Sequence, residues 1–332
     1  MRRRTFVVSA AGAALATTTP TGAPALAADP LPPALGARFP GMGRGYWRGG
    51  RPRSAFHRHL DTLCAYGVGL VRVDVSWPKS ERRRGRSRAG HPYHRRLGAV
   101  LDAAAERGVD VLVTLHDSPA WTRAGAASRN PSARFPDDPE AVRPWAEWLG
   151  AAYGDRVRAW EVWREPNLPD ATGVTDPGER AARYTALLRA CSAGLKAGHP
   201  RAVVVLGGPR HTDHRFVRDV YAAGARDHFD VLALRPRLDP GALPGIREVA
   251  NFPAVAEAMR AYRDGDKPVW WTDFAATTPT PEDPGALVRS FELARVAHPQ
   301  IRLGVLAPGV SPPRLAALRD YLQQHDGRRP LL

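Results

Sequence analysis

Trp160-Glu161-Val162-Trp163-Arg164-Glu165-Pro166-Asn167 is the stretch whose reading decides the fold. From Val157 to Trp163 the chain alternates and is rich in β-branched and aromatic residues, which predicts a strand. Pro166 ends it, because proline has no N–H to give to a ladder. Glu165 is thereby left at the carboxyl end of the strand. An acid there is a candidate for chemistry if the sheet is parallel, since in parallel α/β architectures the strand carboxyl ends carry the site.

The chain on either side supports a parallel sheet. Leu70–Asp74, Val109–Leu115, Ala202–Leu206, Phe229–Leu234, Lys267–Phe274 and Ile301–Leu306 read as short apolar strands, and a weakly marked first strand falls within Leu35–Trp47. Between them lie helical patterns opening near Ser54, which is expected to cap its helix, then Tyr93, Pro139, Arg180, Arg215, Pro253, Pro284 and Pro312. Gly67 and Gly108 stop the first two. Alternating strands and helices predict an α/β fold with a parallel sheet, and eight such units predict closure into a single (β/α)8 TIM barrel. The expected layout is a targeting segment over 1–27, a linker or N-terminal extension over 28–45, and the barrel over 46–332.

Here the residues resemble a family. Trp-Glu-Val-Trp-x-Glu-Pro-Asn is similar to the fourth-strand motif of the clan A glycoside hydrolases, and closest to the xylosidase- and iduronidase-like family 39. Val71-Arg72-x-Asp74-x-x-Trp77 resembles the second strand of such barrels, and Lys267-Pro-Val-Trp-Trp271-Thr-Asp273-Phe the seventh. The resemblance covers nearly all of the chain after about residue 45. It implies Glu165 as general acid/base and Asp273 at the nucleophile position. It implies a sugar site lined by Arg72, Asp74, Trp77, His116, Trp121, Trp163, Arg164, Asn167, Arg235, Arg237 and Trp271. His116 suits a structural role as well as a sugar contact, and Trp121 a core position as well as a stacking platform. A buried Arg72 demands acidic neighbours, for which Glu165 and Asp273 are the candidates.

Three positions depart from the family. Arg164 stands where the family has the Asn that binds the sugar 2-hydroxyl, Asp273 stands for Glu with Ala275 in place of Gly, and Arg235-Pro-Arg237 replaces His-x-Tyr. Shortening Glu to Asp retracts the carboxylate by about 1.5 Å. Three outcomes follow: a weak retaining enzyme, an inverting enzyme acting through water, or a barrel that binds glycan without cleaving it.

Composition narrows the partners. The 332 residues carry a net charge of +15, and all but three of the 48 basic residues are arginine. Arg164, Arg210, Arg235 and Arg237, with Arg82, Arg83 and Arg84 in the second loop, suggest a mouth suited to an acidic polysaccharide. A high-GC coding bias accounts for the arginine equally simply, and retention on anionic surfaces by charge alone is a further reading. No zinc-finger, RNP or helix-turn-helix signature supports nucleic acid as partner. No apolar run is long enough to span a bilayer. The histidines lack ligand spacing, so no metal and no cofactor is implied. A monomer is expected. Cys64 and Cys191 fall on the first and fourth barrel helices, which are not neighbours, so two free, buried thiols are expected rather than a bridge.

Arg2-Arg3-Arg4-Thr5-Phe6-Val7-Val8 followed by a small, apolar region and Ala25-Leu26-Ala27 has the form of a twin-arginine signal with an A-x-A cleavage site. The expected location is secreted or cell envelope. The test is Arg3→Lys with Arg4→Lys followed by fractionation: the double variant should be retained inside the cell with its signal uncleaved, and unchanged secretion would refute the assignment.

Overall fold

The computed structural model describes residues 30–48, 51–87, 90–124, 133–236, 251–274, 283–325 and 327–332. The segment 1–27, expected to be a targeting signal, and Arg237 and Ala275 lie outside these residues.

Eight parallel strands close into a barrel. They are β1 (Ala34–Arg38), β2 (Leu70–Ser76), β3 (Asp110–His116), β4 (Ala159–Val162), β5 (Val204–Leu206), β6 (Val231–Leu234), β7 (Val269–Phe274) and β8 (Ile301–Leu306). The principal helices are α1 (Ser54–Ala65), α2 (Pro92–Ala105), α3 (Arg143–Tyr153), α4 (Pro177–Gly198), α5 (His214–Ala222), α6 (Phe252–Ala261), α7 (Gly285–Ala297) and α8 (Pro312–Gln323). Closure is made by β1, whose Gly36 is in register with Leu70 on one side and Val305 on the other.

Three sequence expectations shift. The first strand, expected within Leu35–Trp47, is Ala34–Arg38, so the segment 28–45 expected to be a linker or N-terminal extension carries β1 itself, with Leu35 and Ala37 buried. Ser54 is the first residue of α1 rather than its cap; Arg53 precedes the helix and makes no side-chain capping bond. Cys64 and Cys191 are both free, but Cys64 is only half-buried.

Because strand side chains alternate, each strand supplies one row to the barrel interior and one to the helix layer. Val71, Val73 and Val75 of β2, Val111 and Val113 of β3, and Trp160 and Val162 of β4 belong to the large outer core. Leu70, Leu112, Ala159, Val205, Val231, Ala233, Trp270, Leu303 and Val305 form a separate inner cluster. One step of two residues along β2, β3, β4, β6 and β7 replaces that apolar layer with Arg72, Thr114, Glu161, Arg235 and Thr272, all buried. The barrel interior is thus apolar toward one end and ionic toward the mouth. The C-terminal segment covers the apolar end: the Trp270 indole N–H donates to the Leu331 carbonyl at 3.0 Å. Arg329 donates to the carbonyls of Ala294, His298 and Ile301.

A buried junction ties α2 and α3 to the turn after β2. Trp77 stacks on Trp145 with centroids 5.3 Å apart, and the Trp145 indole donates to Ser80 Oγ at 2.7 Å. His94 meets the Ser80 carbonyl through Nε2 at 3.1 Å, while its Nδ1 is buried without a partner. A second proton on the ring would have no acceptor. Burial therefore pulls the imidazole down to about 4, the hydrogen bond to Ser80 opposing only in part. The unfolded chain titrates near about 6.5, so between these values the unfolded state binds more protons. Stability from this group is complete above about pH 6.5 and is lost progressively as pH falls toward the folded value. His94→Gln should flatten the dependence of Tm on pH in that window, removing on the order of 2 kcal/mol of acid-linked destabilisation. Parallel curves for the two proteins would refute the neutral-histidine reading.

Candidate active site

The ionic layer is organised by Arg72, whose side chain is wholly buried. Its Nε donates to Glu161 Oε2 at 3.0 Å and to Thr114 Oγ1 at 2.7 Å. Nη1 donates to Asp273 Oδ2 at 3.4 Å, and Nη2 lies 3.3 Å from Asp74 Oδ1. Glu161, equally buried, also accepts from Thr114 at 2.6 Å, from Thr272 at 2.7 Å and from the Gly208 N–H at 3.2 Å. Arg235 reaches it at 3.5 Å. Burial opposes the charges of both members, but the arrangement overcomes it. Arg72 and Arg235, with the Thr114 and Thr272 hydroxyls, hold the Glu161 carboxyl below its ordinary range, and the acids around Arg72 raise its guanidinium further.

The expectation that Arg72 is neutralised by Glu165 is corrected: its partners are Glu161, Asp74 and Asp273. Glu161 is the residue that motif reading passed over. Its signal in the sequence is its phase, an acid on the inward row of a strand whose neighbours Trp160 and Val162 face outward.

Above this layer the strand ends carry the exposed groups. Asp273 is 24% exposed at the end of β7, with Arg235 Nη1 at 3.9 Å as well as Arg72. Asp74, on β2, is held by Arg38 at 2.5 Å and Arg72, with Arg164 at 3.9 Å. Burial would raise its carboxyl, but the Arg72, Arg38, His116 and Arg164 charges outweigh this and hold it far below the usual range. Arg38 is a second residue that sequence reasoning did not single out. His116 sits with Nδ1 3.0 Å from Asp117 Oδ2, and Asp117 also accepts from Ser76 Oγ at 3.0 Å. Among the described residues no group of His, Cys, Asp or Glu could hold a metal ion.

Glu165 is placed by an unusual backbone. Strand β4 ends at Val162, one residue sooner than the sequence predicts, because Trp163 turns to φ 70° and Glu165 to φ 49°. Asp117 after β3 (φ 66°) and His211 after β5 (φ 64°) do the same. Among the described residues these are four of the five non-glycine residues in the left-handed region, the fifth being Arg263. Such conformations cost on the order of 1–3 kcal/mol each and persist where the surroundings over-determine them. The surroundings here are explicit. The Trp163 N–H donates to Leu115 at 2.8 Å, and the Glu165 N–H donates to the Gly208 carbonyl at 3.1 Å. A Cβ at Gly207 would stand 2.2 Å from the Val162 carbonyl, so only glycine lets β5 approach this turn. Asn167 fastens the same two loops: its amide donates to Asp213 Oδ2 at 2.9 Å and accepts from the Arg210 N–H at 2.8 Å. Glu165 itself is 30% exposed, and the nearest guanidinium, Arg210 Nε, is 3.9 Å away.

The tryptophans expected at a sugar site divide differently. Trp77 is fully buried against Trp145, and its indole donates to Glu81 at 2.7 Å. Trp163 is buried on Phe135, and Trp271 faces the helix layer, stacked on Phe274. None of the three is a platform in the mouth: strand phase turns Trp271 outward, the short helix after β2 carries Trp77 against Trp145, and the left-handed turn at Trp163 points that ring into the core. Trp121 alone stays partly exposed, with its edge on Trp77 at 5.6 Å. Glu165, Asp273, Arg72, Asp74, His116, Arg164 and Arg235 remain around the mouth, and Asn167 braces it.

Replacing Glu161 by Leu leaves Arg72 short of its principal counter-charge in the interior and should cost about 3–5 kcal/mol. Adding Arg72→Met should recover at least about 1 kcal/mol of that loss, since the two side chains act as a pair. Urea unfolding of both single variants and the double variant measures this, and additive losses would contradict the pairing.

No family model matches the sequence. The putative beta-glucosidase 17 of rice, Oryza sativa subsp. japonica, is 28% identical over 133 residues, which is 34% of this chain and 37% of that protein. Solved structures resemble it over most of its length. A family 39 glycoside hydrolase from the gut symbiont Bacteroides cellulosilyticus WH2 aligns with a TM-score of 0.67 at 18% identity, covering 88% of this chain and 64% of that one. A GH39 beta-xylosidase from Caulobacter crescentus aligns at 0.64 and 19% identity, covering 91% and 74%. GH5_18 from Streptomyces cattleya, in complex with GlcNAc, aligns at 0.63 and 21%, covering 91% and 82%. The chain spans just under two thirds of the Bacteroides enzyme. The chain therefore shares with these glycoside hydrolases the fold of a closed eight-stranded parallel barrel.

Proposed function

We propose that this protein is an exported glycoside hydrolase that cleaves O-glycosidic bonds of an extracellular, anionic polysaccharide. Glu165 is the general acid and Asp273 the opposing carboxylate. The observation that carries this reading is the placement of two partly exposed carboxylates at the ends of β4 and β7, both within the electrostatic reach of Arg235. Glycosidases need such a pair, one to protonate the leaving oxygen and one to act at the anomeric carbon. Asp273 is one methylene shorter than the family's glutamate and is drawn toward Arg72. That favours a water between carboxylate and sugar, the inverting arrangement with carboxyl groups about 6.5–9.5 Å apart. Arg38, Arg164 and Arg210 around the same opening favour an acidic sugar.

Turnover on a panel of aryl and alkyl glycosides, with NMR of the released anomer, tests the reading. Glu165→Gln should lower kcat by about 10²–10⁴-fold on alkyl glycosides and much less on nitrophenyl ones, whose leaving groups need little protonation. Asp273→Asn should abolish turnover on both. Asp273→Glu with Arg164→Asn restores the nucleophile's reach and the 2-hydroxyl contact together, and should raise aryl glycoside hydrolysis above the parent with retention of configuration. Equal activity of Asp273→Asn and the parent would sink the assignment.

A second reading is favoured by one observation: Arg235, 3% exposed, stands beside Asp273 where the family has a different side chain. A guanidinium there suits a barrel that binds glycan without hydrolysis. Binding that survives Glu165→Gln, with no turnover in the parent or the double variant, selects it.

A further inference from the structure

A second cationic feature lies outside the carboxylate pair. The loop after β2 runs through Arg82, Arg83, Arg84 and Arg86. With Ser80 and His91 it lines a cavity of about 330 Å³ whose wall, among the described residues, includes Arg82, Arg83 and Arg86 but no carboxylate. As a strand-to-helix connection following the carboxyl end of β2, it belongs to the mouth face of the barrel.

The loop is built rather than slack. Glu81, its nearest acid, is buried and turned inward: Oε2 accepts from the Trp77 indole at 2.7 Å and Oε1 from the Gly85 N–H at 2.6 Å. Gly85 takes φ 67°, and the Arg86 N–H closes a turn onto the Arg83 carbonyl at 3.0 Å. On the cavity's floor side, Ser80 is locked by Trp145 and His94. His91 accepts from the Tyr93 N–H through Nδ1 at 3.3 Å, which in the neutral ring leaves its hydrogen on Nε2.

The three cavity arginines have no ion-pair partner among the described residues. Some surface arginines rest on acids, Arg107 on Asp61, Arg156 on Asp102 and Arg319 on Asp320, and others stand without one among the described residues; what sets these three apart is that they line one cavity together. Concentrating three unpaired guanidinium groups costs mutual repulsion, which a bound oxyanion relieves. Guanidinium forks take carboxylate and phosphate oxygens in pairs.

We infer that the Arg82–Arg83–Arg86 cavity is a subsite for an oxyanion carried on a glycan chain, away from the cleavage point. This deepens the glycan reading above and rests on it. The subsite would hold an acidic residue of the polymer while the carboxylate pair addresses a linkage further along.

The test is binding of polygalacturonate, of poly(glycerol phosphate) and of neutral dextran, measured by calorimetry on the whole protein at fixed salt. The triple variant R82Q/R83Q/R86Q is compared with a control of equal charge loss at other exposed arginines, R58Q/R189Q/R260Q. The subsite predicts about a tenfold or greater loss of affinity for one of the anionic polymers in the first triple. It predicts less than about a twofold loss in the control and unchanged kcat/KM on a neutral aryl glycoside. Which polymer loses affinity tells carboxylate from phosphate recognition. Equal losses in both triples would mean attraction by bulk charge and would overturn the subsite, as would dextran binding as tightly as the anionic polymers. Binding is read without turnover, so an inactive parent bears on the hydrolase reading alone. Thermal unfolding of the triple confirms that it folds, and the single variant R83Q, expected to lose about threefold, gives an independent reading if it does not.

Discussion

The pairing of Arg72 with Glu161 inside the barrel is the contact on which the mouth depends. Both side chains are withdrawn from water, so neither charge is tolerable without the other and without the hydroxyls of Thr114 and Thr272. The remaining capacity of Arg72 is spent on Asp273 and Asp74, the acids at the ends of β7 and β2. Four strands are thereby referred to one guanidinium. Asp74 and Asp273 inherit their positions from this buried ionic layer.

Glu165 is positioned by a different device. Backbone strain at Trp163 and Glu165 turns the chain out of β4, and hydrogen bonds to Leu115 and Gly208 hold the turn against its cost. Gly208 joins the two devices, giving its N–H to Glu161 and its carbonyl to Glu165. The acid on the β4 loop and the acid on β7 therefore share a framework although no direct contact links them. Left-handed residues after β3, β4 and β5 mark where the chain bends out of the strands at this face.

Charge balance decides what such a mouth would receive. Glu161, Asp74, Asp117, Asp273 and Glu165 face Arg72, Arg38, Arg164, Arg235 and Arg210, five acids to five guanidinium groups, so the surplus of positive charge comes from the arginines of the second loop. A neutral sugar gains little from that surplus. In the reading proposed above, an acidic one supplies counter-charge to that loop, and the planar forks of arginine fit its oxygens better than a lysine-rich surface would.

The sequence by itself determined the eight strand–helix units, their parallel order and the strand ends on which Glu165 and Asp273 sit. These follow from hydrophobic period, proline and glycine punctuation and three motif stretches, all local in the chain. Only the tertiary structure decided the partners. Arg72 could be seen to need acids, but Glu161 became its principal one because barrel closure brings β2 and β4 to face across the interior, and alternation turns both residues inward. The same alternation took Trp271 out of the mouth, the turn after β2 stacked Trp77 on Trp145, and the left-handed turn at Trp163 took that ring into the core. Motif spacing records which residues travel together along a strand; which of them meet across the barrel is set by closure and register, and those are properties of contacts far apart in the chain.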